Sequence, residues 1–196
     1  MLGKEENSVQ ELVSIVMPAY NVGDYIDESI RSVQAQTYTN WELLIVDDCS
    51  TDDTVDKIKA FMGDTRIKVL QNERNSGAAI SRNYALREAS GKWVAFLDAD
   101  DVWLPEKLEQ QLTFMIQNGY KFCYTDYRIR LNGEWKPYIN TGPNVVTKRK
   151  LYNYCYFSTI TVMYDREYVG LVQIADLKTH FFQCFHFIRR VPESQL

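Results

Sequence analysis

Four short apolar runs, each opening into a polar loop and each followed by a helix-like stretch, constrain this chain more than any other feature. Val13-Ser-Ile-Val-Met17 is rich in β-branched residues and is halted by Pro18, as a buried parallel strand reads when a functional loop follows. Trp41-Glu-Leu-Leu-Ile-Val46 repeats the pattern and ends in the loop and cap formers Asp47-Asp-Cys-Ser-Thr-Asp52. Ile67 to Gln71 reads as a third strand, and Gly91-Lys-Trp-Val-Ala-Phe-Leu97 as a fourth that runs into Asp98-Ala-Asp-Asp101. Between them, Ile26, Ile30 and Val33 fall at helical spacing from Tyr25 to Gln36, with Asp24 where an N-cap would sit. Asp53 to Phe61, Gly77 to Ala89 and Pro105 to Gln117 read as further helices, the last with proline in its first turn. This rhythm predicts an α/β fold, with a Rossmann-like, mainly parallel sheet flanked by helices. Tyr120 to Leu131 and Glu134 to Tyr138 read as two strands around the turn Asn132-Gly133.

Composition narrows the partners. The 196 residues carry 26 acidic and 22 basic side chains, net charge -4, and no basic run longer than Lys148-Arg149-Lys150, so no nucleic-acid partner is expected. Any phosphate in a ligand must be met locally. Cys49, Cys123, Cys155 and Cys184 are too widely spaced for zinc pairs and too few for a disulfide scaffold; reduced thiols in the cytoplasm are the expectation. The first residues lack the order of a signal peptide, and no stretch approaches a membrane span, which predicts a soluble intracellular protein.

In open α/β sheets ligands bind outside the carboxyl ends of the strands, so the loops after strands one, two and four should share a crevice. Those loops are Pro18-Ala19-Tyr20-Asn21, Asp47-Asp48 and Asp98-Ala99-Asp100-Asp101, two of them acidic. Asp98 and Asp100 have the spacing that lets carboxylates hold Mg²⁺ or Mn²⁺, hard ions commonly completed by substrate phosphates. The bland alternative is that they cap the helix near Pro105 or form a solvated turn. Asp48 can accept a hydrogen bond from a base N–H such as that of uracil, with capping of the next helix as its alternative role and Asp52 and Thr51 better placed for that cap. Arg82 can reach a phosphate or pin the acidic loop, against the plain reading of a surface ion pair.

Four segments in order, Val13-Ser-Ile-Val-Met-Pro-Ala-Tyr-Asn21, Leu44-Ile-Val-Asp-Asp-Cys-Ser-Thr-Asp52, Asn75-Ser-Gly-Ala-Ala-Ile-Ser-Arg-Asn83 and Phe96-Leu-Asp-Ala-Asp-Asp101, resemble the successive signatures of family 2 glycosyltransferases. The resemblance is strong over about residues 10–130 and weaker through Ser158-Thr-Ile-Thr-Val-Met163. It implies the GT-A fold, inverting transfer of a sugar from a nucleotide diphosphate donor, UDP-linked by expectation, to a saccharide or lipid-linked acceptor, and a divalent metal. Carried over by residue, it implies that Pro18, Ala19, Tyr20 and Asn21 line the nucleotide pocket and that Asp48 meets the base. It further implies that Arg82 lies near the diphosphate and that Asp98 and Asp100 form the acidic motif around Ala99, with Asp100 as the main metal ligand. The resulting division is a tail at 1–9, a nucleotide-sugar-binding half at 10–130, an incomplete acceptor-side segment at 131–180 and an atypical tail at 181–196.

Inverting transfer in one displacement needs a general base for the acceptor hydroxyl. Family members supply it from an acidic pair past the Thr-Val-Met strand, and after Asp176-Leu-Lys-Thr-His180 no such pair follows. Either the chain is shortened or altered near His180, or it has diverged. His180 and His186 are weak candidate bases, and Asp176 is a similarly weak one. Phe181, Phe182, Phe185 and Phe187 would form an apolar patch, from which oligomerisation or poor solubility is expected. Lys148-Arg149-Lys150 beside Leu151-Tyr-Asn-Tyr154 is a candidate contact with the inner face of a membrane, with a solvated turn as the alternative. Two rivals stand beside the transferase: an inactive nucleotide-sugar binder lacking the base, and a nucleotidyltransferase, which would be expected to carry a glycine-rich, basic loop after strand one.

Overall fold

The computed structural model describes residues 11–131, 133–143 and 157–174. Its main sheet has six strands: β1 (Val13–Ala19), β2 (Trp41–Asp47), β3 (Ile67–Gln71), β4 (Trp93–Phe96), β5 (Phe122–Cys123) and β8 (Met163–Asp165), in the order β3-β2-β1-β4-β8-β5. The first four strands in that order run parallel, while β8 is antiparallel to both β4 and β5. Four helices follow the strands in alternation: α1 (Gly23–Gln34), α2 (Thr54–Lys59), α3 (Ala78–Glu88) and α4 (Lys107–Asn118). This is the mainly parallel, helix-flanked sheet that the alternating apolar runs predict.

Strand pleat sorts the core into two layers. Val13, Ile15 and Met17 point to one face, where they pack with Ile26, Ile30 and Val33 of α1, Ile58 of α2 and Leu108, Leu112 and Met115 of α4. Val16, Leu44, Val46, Val94 and Phe96 point to the other, against Ala79, Ala85 and Leu86 of α3 and Val162, Tyr164 and Val172. α3 is therefore alone among the four helices on its face, a position that matters for the site.

Three local readings need correction. β1 does not stop before Pro18 but runs to Ala19. Ala19 C=O accepts from Asp48 N on the β2 side, and Val16 C=O accepts from Leu97 N on the β4 side. In a parallel strand a residue's two backbone groups point the same way, so Pro18 faces β4, beyond its last ladder bond, where a missing N–H costs nothing. Asp24 does not cap α1; Val22 is the N-cap residue and makes no side-chain cap bond. The caps come from the β2 loop and the start of α2 instead: Val22 N donates to Thr54 Oγ1 at 2.9 Å and Gly23 N to Asp52 Oδ2 at 3.0 Å. Finally, the run Tyr120 to Leu131 is two strands. β5 joins the main sheet, and β6 (Tyr127–Leu131) pairs with β7 (Glu134–Asn140) as a separate two-stranded ribbon around Gly133.

The amino ends of the strands are closed by a buried polar knot. Glu42, within the apolar run of β2, accepts from Ser14 Oγ (2.6 Å), Ser90 N and Oγ (2.7 Å each) and Lys68 Nζ (2.8 Å). Burial pushes its carboxyl up, but the hydrogen bonds from Lys68, Ser14 and Ser90 outweigh this and hold it at about 2. Gly91 closes the knot by donating to Ser14 Oγ at 2.8 Å, and a Cβ there would lie 2.6 Å from Leu12 C=O and 2.7 Å from Ser14 N. Only glycine fits.

Candidate functional site

Chain order makes the crevice. β1, β2 and β3 wind outward in one direction, and the chain then crosses back to place β4 on the other side of β1. The loops after β1 and β4 therefore diverge at a topological switch point, where open α/β sheets bind their ligands. Asp48 follows β2 and Asp98 follows β4, and both strands pair with β1. Their backbones thus flank the end of one strand, about 10 Å apart at two strand spacings.

The β1 and β2 loops are stitched together. Asn21 adopts φ 51° and Cys49 φ 64°, the two non-glycine residues with left-handed backbone among those described. Asn21 N donates to Ser50 Oγ at 3.0 Å, and Asn21 Oδ1 accepts from Thr51 N at 2.8 Å. Strained backbone gathers at functional sites when its surroundings over-determine it, and these bonds do so. Tyr20 stands 46% exposed at the rim, over buried Ala19 and half-buried Pro18. Asp47 is buried, its oxygens taken by Ser50 N and Gln71 Nε2.

Asp48 does not take the capping role that was the alternative for it. Its Oδ1 accepts from Asn72 Nδ2 (2.6 Å) and Ser76 N (2.8 Å), and its Oδ2 from Gly77 N (2.7 Å). It holds the backbone that enters α3 rather than the helix that follows it. Asp52 serves α2 by accepting from Thr54 N at 3.1 Å, whereas Thr51 turns to Asn21. Gly77, at φ 88°, lets the chain enter α3 with its amide aimed at the carboxylate.

From that anchored end, α3 carries Arg82 across to the second acidic loop. Arg82 Nη2 meets Asp98 Oδ1 at 2.5 Å, with the arginine side chain 6% exposed and the aspartate 30%. This is a buried pin, not a surface ion pair. Among the described residues the Arg82 Nε–H has no hydrogen-bond partner and is a buried donor left over. The neighbouring Asn83 exchanges two 2.7 Å hydrogen bonds with the backbone of Ile174, so α3 also fixes the returning segment.

The acidic loop does not cap α4. That helix begins at Lys107 with Glu106 as N-cap and no side-chain cap bond. Instead the loop is stapled along α1: Ser29 Oγ donates to Ala99 C=O (2.8 Å), Trp103 N to Ser32 Oγ (3.2 Å), and Gln36 Nε2 to Leu104 C=O (2.7 Å). Ser29, Ser32 and Gln36 escaped the sequence reading. Their signal was present as polar residues at helical spacing beside the stripe Ile26, Ile30 and Val33.

The loop so held is short of positive charge. Asp98 is pinned, Asp100 is exposed with no partner among the described residues, and Asp101 is half-buried. Burial, then the charges of Asp100 and Asp98, push the Asp101 carboxyl up to about 6. No group of three or more metal-ligating side chains occurs among the described residues. Two carboxylates on a crowded acidic loop fit an ion that keeps water and ligand phosphates in its shell, as Mg²⁺ and Mn²⁺ do, rather than a protein-only cage. Asp176, the candidate base, lies outside the described residues, as do His180, His186, Lys148, Arg149, Lys150 and the phenylalanines from Phe181 to Phe187.

Comparison with known proteins agrees with this frame. The family described as glycosyl transferase family 2 matches residues 14–192, reaching into the tail that the sequence reading set apart. The chain is 41% identical over 170 residues to TuaG of Bacillus subtilis (strain 168), named for teichuronic acid biosynthesis, covering 86% of this chain and 68% of that one. It is 46% identical over 155 residues to the Escherichia coli UDP-Glc:alpha-D-GlcNAc-diphosphoundecaprenol beta-1,3-glucosyltransferase WfgD, covering 79% of this chain and 60% of that one. Among solved structures, S. aureus TarS 1-349 in complex with UDP superposes with a TM-score of 0.72 at 28% identity, over 89% of this chain and 53% of that one. The same protein with UDP-GlcNAc gives 0.73 at 27% identity, over 92% and 53%. The chain thus spans between about half and two thirds of the length of these proteins. A match of this extent, on a sheet of this topology, makes the chain a member of glycosyl transferase family 2 with the GT-A fold.

Proposed function

We propose that the chain binds a UDP-sugar in the crevice between β1 and β4 and transfers the sugar, with inversion, to a lipid-linked or saccharide acceptor in cell-surface glycan assembly. The observation that carries this is the α3 frame: one helix, anchored by Asp48 and pinned to Asp98 through Arg82, sets the two acidic loops on one sheet edge. Supporting it, the TarS structures hold UDP and UDP-GlcNAc, and the name of WfgD gives a UDP-glucose donor and a diphosphoundecaprenol-linked acceptor.

In this reading Tyr20 and Pro18 form the wall for the base, and the base N–H shares Asp48 Oδ2 with the Gly77 amide. Arg82 directs its spare Nε–H toward the diphosphate while holding Asp98 in place. Asp98 and Asp100 would hold Mg²⁺ or Mn²⁺, which when bound supplies positive charge against that building on the leaving diphosphate. The acceptor proton goes to a carboxylate following Ile174, the backbone that Asn83 fixes; Asp176 is our candidate. No helix among the described residues is long and apolar enough to cross a membrane. A cytoplasmic protein working at the inner membrane face fits the lipid-linked acceptor.

Calorimetry with UDP and Mn²⁺ tests the donor site. Asp100→Ala should lower affinity by about tenfold to a hundredfold, the range for losing a metal-site group. Unchanged affinity sinks the assignment. A transfer assay with UDP-sugar donors, on the parent and on Asp176→Asn, then separates the enzyme from the inactive binder. Tight UDP binding with no sugar product from any donor supports the binder.

A further inference from the structure

The β6-β7 ribbon keeps its apolar side chains in solvent: Leu131 is 53% exposed, Trp135 50% and Ile139 57%. An isolated two-stranded ribbon is marginal in water, and apolar side chains gathered on a surface mark a contact site. Its charge also departs from that of the chain. Residues 127–140 carry Arg128, Arg130 and Lys136 against Glu134, within a protein of net charge -4.

The register joins these two properties on one face. Arg130 stands opposite Trp135 and Arg128 opposite Ile139, and directly opposed residues share a face of the ribbon. The two guanidinium groups lie 5.5 and 5.7 Å from the centre of the Trp135 ring. Arg130 also forks onto Glu28 of α1 at 2.8 and 2.5 Å, which sets the ribbon's position. An indole with two guanidiniums near its ring, on a face it shares with an isoleucine, combines an apolar body with cationic groups, the composition that settles at the headgroup level of a bilayer.

Position supplies the third argument. β5 points the same way as β1, because each is antiparallel or parallel in turn through β8 and β4. The ribbon that follows β5 therefore leaves the sheet at the edge where Asp48 and Asp98 stand. Glu28, its anchor, is the sixth of the twelve residues of α1, five after the Gly23 whose amide the Asp52 carboxylate holds. A second copy seated on the ribbon would crowd the crevice mouth, whereas a bilayer there would present a lipid-borne acceptor to it.

We propose that the β6-β7 ribbon, through Trp135, Ile139 and Arg128, docks the protein on an anionic membrane surface with the crevice facing the lipid. This rests on the lipid-linked acceptor reading. The test is flotation of the full chain with phosphatidylcholine vesicles, with and without phosphatidylglycerol, and of the Trp135→Ser/Ile139→Ser variant, whose replaced side chains are exposed. Each protein is also titrated with UDP and Mn²⁺ and sedimented without lipid. The parent should float with the anionic vesicles, and the variant, or neutral vesicles, should lower the bound fraction by about tenfold. UDP affinity should be equal in both. A variant that floats like the parent overturns the proposal, as does a parent that does not float. So does a parent dimer that the variant abolishes, since a second copy would then be the occupant. Loss of UDP binding in both proteins, with flotation as expected, would remove the donor reading and leave the docking surface in place.

Discussion

The amino end of the mainly parallel sheet and the loop after β4 at its carboxyl end handle their carboxylates in opposite ways. At the amino end, Glu42 is met by four donors and a lysine-assisted network, and its carboxyl is held down at about 2. At the carboxyl end, Asp98, Asp100 and Asp101 crowd one loop with a single arginine among them, and the Asp101 carboxyl is pushed up to about 6. A satisfied buried charge fixes strands, and an unsatisfied cluster keeps electrostatic energy available to a ligand. The difference teaches that the strand ends have separate duties: the first fastens β1, β2 and β4, and the second is kept short of positive charge.

Breaking the amino end should have the largest effect. Glu42→Ala leaves Ser14, Ser90 and Lys68 without their shared acceptor, and urea unfolding should show a loss of about 3 kcal/mol. The folded fraction should bind UDP and Mn²⁺ unchanged. Loss of binding at equal folded fraction would show that the two ends are coupled.

Acid should separate the ends without mutation. The Glu42 carboxyl lies below its ordinary 4.5, so its contribution is present above 4.5 and is lost as pH falls from there toward 2, about 3 kcal/mol in all. The Asp101 carboxyl lies above its ordinary 3.8, so its contribution is present below 3.8 and is lost as pH rises through 6. From these two groups, stability measured by urea midpoints should therefore peak at about pH 4 and fall on both sides. A midpoint that climbs steadily from pH 4 to 8 contradicts the assignment for Asp101.

Relieving the carboxyl end gives a smaller change of opposite sign. Asp101→Asn should gain about 1–2 kcal/mol at neutral pH, discounted for the residue's partial exposure, and nothing near pH 3. Saturating UDP and Mn²⁺ should shrink the gain, as bound positive charge relieves the same crowding. Smallest is Cys49→Gly, which removes the left-handed strain at φ 64° but also the Sγ–H to Asn72 C=O contact at 3.1 Å; we expect a gain of about 0.5 kcal/mol in thermal midpoint measurements.

How far the sequence reached differs along the chain. β3 was legible to the residue and β1 and β2 nearly so, because runs such as Leu43-Leu-Ile-Val46 bury both faces of a strand and leave no rival pattern. Asp98 and Asp100 were legible because their loop follows β4 directly. Glu42 was not, since a carboxylate in an apolar run looks like an exception until Ser14, Lys68 and Ser90 arrive from three other segments. The Asp48 latch on α3 was missed for the same reason: its partners lie 24 to 29 residues away.

By itself, then, the sequence determined the parallel α/β order and the set of acidic loops at the carboxyl edge, because periodicity and loop composition are local properties of the chain. The tertiary structure decided which of those carboxylates are held and which are left exposed. It also split Tyr120 to Leu131 into a core strand and a solvent-facing ribbon strand, since β5 joins the sheet by pairing with β8, some 40 residues later. Charge satisfaction and edge pairing depend on what distant segments bring into contact, and no stretch of sequence states that alone.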